Sequence, residues 1–246
     1  RLTALAGLRA DLDRDAGIIV SPRVNLRWKP AQWTTLRLTT GSGFRTVNLF
    51  TEDHAALTGA RTVVVAEALR PERSWNVNAT LTQVVNIGNS AATLDADAFY
   101  TYFMNKIVPD YDTDPNLIIY QNLKGHGIVR GISLKWSQNF AIPLRCEAGA
   151  TFMQVYNVDA QGVRTEQVHA PWFSSVFSAG YEFKKFHTRV DWNGKVTGPM
   201  RLPSFPGRPS HSEWFSLQHV QLTTQLSGQW KLVYGVKNIL NYTQDS

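Results

Sequence analysis

The stretch LRLTTGSGFRTVNLF, residues 36–50, begins as a two-sided β-strand and then loses its regular pattern. In an extended chain successive side chains point to opposite faces, so the strand part divides into two sets. The first five positions place apolar or small side chains opposite polar ones: Leu36, Leu38 and Thr40 against Arg37 and Thr39. Glycines, a phenylalanine and an arginine follow without a clear period. The stretch therefore predicts a strand that runs into a loop.

The same alternation recurs along the whole chain and no stretch of comparable length holds a helical period. It is clear in WNVNATLTQVV (75–85), LRCEAGATFM (144–153) and HVQLTTQL (219–226). This pattern predicts an all-β protein with about eleven strands. Their approximate positions are 2–13, 17–29, 33–42, 73–86, 92–104, 127–140, 142–156, 171–184, 186–197, 213–226 and 230–241.

The connections between these strands alternate between short turns and long loops. KPAQ, IGNSA, FAIP, FKKF and LSGQ are short, whereas 43–72, 105–126, 157–170 and 198–212 are long. An up-and-down antiparallel meander with turns on one rim and loops on the other is typical of a transmembrane β-barrel. A soluble β-sandwich or lectin-like barrel remains an alternative at this point, since it could expose the polar face to solvent.

Bulk composition does not decide between these two alternatives. The chain has 246 residues, 43% hydrophobic residues and a mean hydropathy of −0.23, and it contains no run of 18 apolar residues. A barrel strand is only half apolar, so its hydropathy averages out. The tryptophans favour the barrel because an indole suits a membrane–water boundary. Four lie near short turns and four toward the long loops: Trp28, Trp33, Trp136 and Trp230, then Trp75, Trp172, Trp192 and Trp214.

Several functional classes lack support in the sequence. The net charge of +6 comes from scattered basic residues, so nucleic acid is not expected as a partner. The single cysteine, Cys146, lies on an apolar strand face and is expected to be inert. No nucleophile elbow, Cys-x-x-Cys, His-Glu-x-x-His or phosphate-binding glycine loop is present. We therefore do not expect an enzyme, and we expect no cofactor.

With the strands placed, the chain resembles the barrel of TonB-dependent outer-membrane receptors. The resemblance lies in RLTTGSGFRTVNLF, in GLRADLDRD followed by SPRVNLRWKP, in LRPERSWNVNATL and in YGVKNILNYT. These motifs occur in the family's order and span nearly the whole chain. The sequence departs from the family where GFRTVNLF replaces the commoner Gly-Phe-Arg-Ala-Pro.

The resemblance implies a partial domain, residues 1–246, forming about eleven strands of a 22-stranded barrel. The N-terminal plug, the first barrel half and the last strand would be missing from this chain. It implies the outer membrane of a Gram-negative bacterium as the location, with outer-membrane lipid, TonB (through the absent plug) and an extracellular iron chelate as partners. The favoured substrate is a ferric siderophore. A passive porin-like channel and a soluble all-β carbohydrate-binding module remain alternative functions.

The long loops supply the candidate ligand-binding residues. Arginine offers fixed hydrogen-bond donors to carboxylates or catecholates, and aromatic rings cover the apolar parts of a ligand. The candidates are Arg45, His54, Arg61, Tyr111, His169, Trp172, Arg201, Arg208 and His211. For Arg45, an ion pair with the plug or wall and a ligand contact are both open. We also expect Gly41 and Gly43 to let the backbone leave the sheet here.

One acidic stretch, PDYDTDPN (109–116), has the spacing of a calcium-binding loop. Asp110, Asp112, Asp114 and Asn116 place oxygen ligands at alternate positions. Pro115, however, stands where such loops need glycine, so a solvated acidic loop is the competing interpretation. A haem site has less support, because FRTV matches only half of the box found in haem receptors and DPNL (114–117) lies one loop too late.

Overall fold

A computed structural model describes residues 1–13, 17–46, 62–111, 113–114, 116–204 and 207–243. It contains fifteen strands among these residues and one turn of 3-10 helix, Lys184–Phe186. The strands are β1 Leu2–Asp13, β2 Gly17–Ala31, β3 Thr34–Arg45, β4 Thr62–Val65, β5 Glu72–Ile87, β6 Ser90–Asn105, β7 Ile107–Asp110, β8 Leu117–Asn122, β9 Gly125–Asn139, β10 Leu144–Asp159, β11 Arg164–Glu166, β12 Phe173–Phe183, β13 Thr188–Thr197, β14 Phe215–Gln225 and β15 Lys231–Lys237.

Eleven strands form one antiparallel sheet in the order β1-β2-β3-β5-β6-β9-β10-β12-β13-β14-β15, with β11 paired to β10. The prediction of an all-β meander with about eleven strands is thereby confirmed. Short turns join these strands at one edge, the turn rim. At the other edge, the loop rim, the connections are long apart from the three residues between β1 and β2. The sheet is open, because β1 and β15 do not pair with each other among the described residues.

The register places two chemically different sets of side chains on opposite sides of the sheet. One side, the apolar face, carries Leu81 beside Leu36 and Ala96, and Leu222 beside Val190 and Tyr234. The other side, the polar face, carries polar rows such as Thr80–Asp97–Ser133–Thr151–Ser174. Hydrogen bonds connect neighbours within these rows, with 2.6 Å from Thr80 Oγ1 to Asp97 Oδ1 and 3.0 Å between the Ser133 and Thr151 hydroxyls.

Within the described residues, neither face of the main sheet packs against a second layer. The buried apolar residues are few and scattered, and no large side chain in the described part of the chain is fully buried. Leu134, at mid-sheet on the apolar face, is 52% exposed. Soluble folds bury such a face in a core, so this surface needs cover from another source. The described residues contain no helix long and apolar enough to cross a membrane.

A second, small sheet lies within the long connections. Its order is β4-β8-β7, with β4 parallel to β8 and β7 antiparallel to it. It brings the first long loop onto the second, because Thr62 N donates to Asn116 O at 2.9 Å and Ala66 N donates to Tyr120 O at 3.0 Å. From the sequence, 43–72 and 105–126 are expected to be long loops, and this sheet is not predicted.

Two local predictions are wrong. Gly41 and Gly43 do not release the backbone from the sheet, because β3 continues in register with β5 through Arg45. Gly41 instead permits close packing, since a Cβ there would lie 2.9 Å from the Pro22 carbonyl oxygen. Trp192 lies in the middle of β13 rather than toward the loop rim, and pairs with Ala179 and Val220.

Candidate ligand cavity at the loop rim

A cavity of about 1110 Å³ opens on the polar face at the loop rim. Its floor is formed by the loop-side ends of β5, β6, β9 and β10. Its walls are β7 and the segment 165–171 that follows the β10–β11 hairpin. The cavity therefore lies where the second, third and fourth long connections meet the loop-side ends of the sheet.

Glu72, the first residue of β5, joins three segments at one end of this cavity. Its side chain is only 10% exposed, and its Oε2 accepts a hydrogen bond from Arg45 Nε at 2.9 Å. Its Oε1 accepts one from the Ile107 backbone N–H at 2.9 Å. The carboxylate thus links the end of β3 to the start of β7. Arg45 is 57% exposed in its side chain, so it remains accessible from the cavity while paired.

Lys106, between β6 and β7, points into the same cavity. Its ammonium donates to Asn157 Oδ1 at 3.0 Å and to Gln167 Oε1 at 2.6 Å, and lies 5.5 Å from the centre of the Phe103 ring. Burial lowers the pKa of Lys106 below its usual value, and the negative charge of Glu72 opposes that shift. The stem needs Gly127 beneath it, because a Cβ there would lie 2.9 Å from Lys106 Cδ.

Side-chain amides fix the segment that re-enters the sheet before Glu72. Asn105 Nδ2 donates to the carbonyls of Arg70 and Pro71, at 3.1 and 2.8 Å. Asn122, which is buried, donates from Nδ2 to Ala68 O at 2.9 Å and accepts from Arg70 N at 3.0 Å. These bonds replace the backbone ladder that an irregular segment lacks. They hold in place the segment that leads into Glu72 at the edge of the cavity.

The third and fourth long connections meet at Arg201. His169 N donates to Arg201 O at 2.9 Å, and Arg201 Nη1 donates to Glu166 O at 3.1 Å. Arg201 also forms a backbone bridge with His211, whose Nε2 lies 3.8 Å from a Glu166 carboxylate oxygen. His169 adopts a left-handed conformation with φ of 60°, which turns the chain at this junction.

The structure gathers several of the predicted ligand residues and separates others. Arg45, Tyr111, His169 and Arg201 line the cavity on the polar face. Trp172 and His211 line a second, adjoining cavity, described below, and Arg201, Glu166 and Ala170 border both cavities. Arg208 is exposed and lines neither of these two cavities. His54 and Arg61 lie outside the described residues.

Glu72, Lys106, Asn157 and Gln167 were not predicted. Each is ordinary in its own sequence context, and the four meet only through long-range pairing: Lys106 is 51 residues from Asn157 and 61 from Gln167. Glu72 had one available signal, since it stands in the LRPERS motif that resembles the re-entry point of the family barrel.

In the acidic stretch, the described carboxylates cap turns. Asp110 accepts hydrogen bonds from the Thr113 backbone N–H at 3.0 Å and from its hydroxyl at 2.5 Å, and Asp114 Oδ1 accepts from Asn116 N at 2.8 Å. Asp112 lies outside the described residues. In the part of the chain that the structure describes, no group of three or more His, Cys, Asp or Glu could hold a metal ion. Calcium binding here stays a prediction.

Solved structures of similar fold are known for bacterial receptors and transporters. The FrpB iron transporter of Neisseria meningitidis superposes with a TM-score of 0.69 at 15% identity, covering 98% of this chain and 38% of that one. The siderophore receptor PirA of Acinetobacter baumannii gives 0.72 at 16%, with coverages of 98% and 39%. The ferric enterobactin receptor PfeA of Pseudomonas aeruginosa, a mutant in complex with enterobactin, gives 0.71 at 16%, with 98% and 38%.

These likenesses establish the fold. The chain spans less than two fifths of the length of these proteins. No curated protein sequence matches the chain. The family model described as TonB dependent receptor-like, beta-barrel, matches residues 1–239. Receptors of this family are outer-membrane β-barrels of Gram-negative bacteria. The chain therefore belongs to the TonB-dependent receptor family and forms part of its β-barrel.

Proposed function

We propose that this chain is the loop-bearing part of an outer-membrane receptor whose intact form takes up a ferric siderophore with energy delivered through TonB. In this proposal the apolar face meets lipid and the polar face lines the lumen. A plug domain and further strands of the same protein complete the barrel. The chain itself binds its ligand and transforms nothing chemically.

The observation that carries this proposal is the set of cationic and aromatic side chains in the lining of the loop-rim cavity. The lining also contains four carboxylates, of which Glu72 pairs with Arg45 while Asp110 and Asp159 accept hydrogen bonds from backbone N–H groups. Lys106 and Arg201 present positive charge from two different connections, and Phe103 and Tyr111 present rings beside them. A ferric catecholate carries negative charge and aromatic rings, so both groups have counterparts in this lining. The names of the structural neighbours support the same substrate class, because they include an iron transporter and two siderophore receptors.

Binding of ferric enterobactin to the intact receptor tests this assignment. The double variant K106Q/R201Q removes two charges from the cavity, and K184Q/K185Q removes two from a turn on the opposite rim. Since a charge-assisted hydrogen bond contributes about 1.5–3 kcal/mol, we expect the cavity variant to raise the Kd at least about tenfold and the turn variant to leave it unchanged. Equal effects from both variants would reject the cavity as the ligand site.

Energy coupling separates the receptor from the passive channel. Cells that express the intact receptor should accumulate iron from ferric enterobactin, and a protonophore that collapses the inner-membrane potential should abolish accumulation. Uptake that continues at an unchanged rate would favour passive diffusion.

The calcium prediction for 110–116 is tested in the ligand-binding assay. EDTA should weaken binding of ferric enterobactin only if a bound cation orders this loop.

A further inference from the structure

The apolar face changes character at its loop-side end. Arg130 on β9 lies beside Tyr100 and Gln154, which belong to the same row across the sheet. Its Nε donates to Gln154 Oε1 at 2.9 Å. One row closer to the rim, Tyr156 is 7% exposed, and the guanidinium carbons of Arg164 and Arg130 lie 3.6 and 5.8 Å from its ring centre. Two exposed arginines therefore lie against a single buried tyrosine ring.

Immediately below this basic cluster lies a cluster of exposed aromatic side chains. Phe152 is 47% exposed, Trp172 46% and Trp214 50%, and with Phe173 their rings lie 5.0–6.1 Å apart. Ile132, paired with Phe152 on the same face, is 54% exposed. Positive charge above a band of exposed rings is the arrangement of a protein surface at a membrane boundary.

Arg130 and Arg164 differ from the arginines on the polar face in the partners that their guanidinium groups contact. On the polar face, Arg9, Arg145 and Arg189 each bond a carboxylate two residues further along the same strand, at 2.6, 2.5 and 2.8 Å. Arg130 and Arg164 contact an amide and a ring instead, and among the described residues neither forms an ion pair. Their charge is available to an anion that approaches from this side.

A cavity of about 920 Å³ adjoins these residues, between the apolar face and the connection that contains Arg201 and His211. Its lining includes Arg130, Arg164 and Arg201, together with one carboxylate, Glu166. Three guanidinium groups against one carboxylate leave an excess of positive charge even when His211 is neutral. The lining continues into Ile132, Phe152 and Trp172. The guanidinium groups can therefore contact the charged head of an amphiphilic ligand, and the apolar side chains can contact its apolar body.

We propose that this cluster binds the phosphorylated headgroup of a lipid in the outer leaflet, with the acyl chains lying along the aromatic cluster. The inference rests on the membrane placement of the apolar face in the proposed function. It can be tested separately from siderophore transport, because Arg130 and Arg164 line this cavity and not the loop-rim cavity, although the two cavities share Glu166, Ala170 and Arg201 in their linings. Arg130 and Arg164 would contact phosphate oxygens, which guanidinium groups bind through paired hydrogen bonds.

The test uses the intact receptor in mild detergent, with added lipid A that carries both phosphates and, separately, lipid A with both phosphates removed. Native mass spectrometry measures the fraction of receptor that retains each lipid. The variant R130Q/R164Q should lower retention of the phosphorylated lipid about tenfold or more, since each basic residue near an anionic headgroup contributes substantially to binding. R145Q/R189Q removes the same number of charges from the polar face and should leave retention unchanged. R130K/R164K should retain more lipid than R130Q/R164Q because it keeps the charge.

Several outcomes would overturn the proposal. Equal retention of both lipids by the unmodified receptor, or equal loss in R130Q/R164Q and R145Q/R189Q, would remove the phosphate recognition. Displacement of the lipid by millimolar inorganic phosphate would indicate a site for free phosphate instead. Ferric enterobactin binding, measured on the same samples, should be unaffected in R130Q/R164Q. Unchanged ferric enterobactin binding would show that the variant is folded. It would also separate a failure of the lipid site from a failure of the proposed transport function.

Discussion

At the scale of single residues, the ion pair between Arg45 and Glu72 favours a structural role for Arg45 in the wall over the ligand contact that the sequence also left open. The Gly-Phe-Arg stretch ends on a side chain bonded to a nearly buried carboxylate of the adjacent strand. Replacement of Arg45 by Ala leaves Glu72 without one partner in a site of low exposure. A half-exposed guanidinium is partly screened by water, so the expected loss is about 1 kcal/mol of unfolding free energy.

If Arg45 stabilises the barrel wall through its ion pair with Glu72, Arg45→Ala should lower stability and leave ligand affinity nearly unchanged. Thermal unfolding of the intact receptor should begin at a lower temperature, and the affinity for ferric enterobactin should change by less than about threefold. Glu72→Gln should destabilise by a similar amount, because it weakens the bonds to Arg45 and to Ile107 N together. A large loss of affinity at unchanged stability would assign Arg45 to the ligand instead.

The lowered pKa of Lys106 predicts how the unfolding free energy depends on pH. Its pKa is lowered in the folded protein from a reference value of 10.5, because burial disfavours the charged form. Between the lowered pKa and 10.5 the unfolded chain binds more protons than the folded one, so stability rises with pH in that window. Below the lowered pKa both states are protonated and the contribution is flat. Urea unfolding across this range should show the rise in the unmodified receptor and less of it in Lys106→Met; an unchanged slope would contradict the assignment.

At the scale of strands, alternation made the main sheet predictable. WNVNATLTQVV and LRCEAGATFM place every second side chain on one face, and the observed register keeps those sets on opposite sides. The small sheet was not predictable in this way. β4, β7 and β8 are four to six residues long, and TVVV and LIIYQN show apolar runs rather than alternation. Their pairing depends on contacts between separate connections.

The two faces of β9 give a matched test of the membrane-facing surface. Leu134 lies on the apolar face between Ala96 and Ala150, and Ser133 lies on the polar face between Asp97 and Thr151. Arginine at a lipid-facing position near the bilayer midplane costs about 2–4 kcal/mol. Leu134→Arg should therefore lower the unfolding free energy of the membrane-inserted receptor by about that amount, and Ser133→Arg should have a much smaller effect, helped by the nearby Asp97. Similar losses from both would argue against lipid on the apolar face.

The candidate site was less predictable than the fold. Arg45, Tyr111, His169 and Arg201 were identified because cationic and aromatic residues in long connections suit an anionic ligand, and the structure brings these four to one cavity. Their role as ligand contacts remains a prediction. Lys106 and Glu72 were not found, since their significance arises from partners far away in sequence. Trp172 and His211 line the adjoining cavity instead, because side-chain direction at a loop rim does not follow from composition, and their role as ligand contacts also remains a prediction.

At the scale of the whole molecule, the other proposals depend on how the sheet is oriented in the membrane. The open sheet is part of a barrel wall. We propose that its long connections face the cell exterior and its short turns face the periplasm. The loop-rim cavity, the lipid site and energy-coupled uptake all require this orientation. Gln161, at the tip of the β10–β11 hairpin, is exposed and reports on the loop rim.

Surface labelling of whole cells tests this orientation most directly. In a Cys146→Ser background, single cysteines at Gln161 and at Asn89, in the exposed turn between β5 and β6, are treated with a membrane-impermeant maleimide. The account predicts that Q161C is labelled on intact cells and that N89C is labelled only after the outer membrane is permeabilised. Labelling of N89C but not Q161C on intact cells would mean that the barrel is inverted, and labelling of both would contradict a membrane-embedded wall.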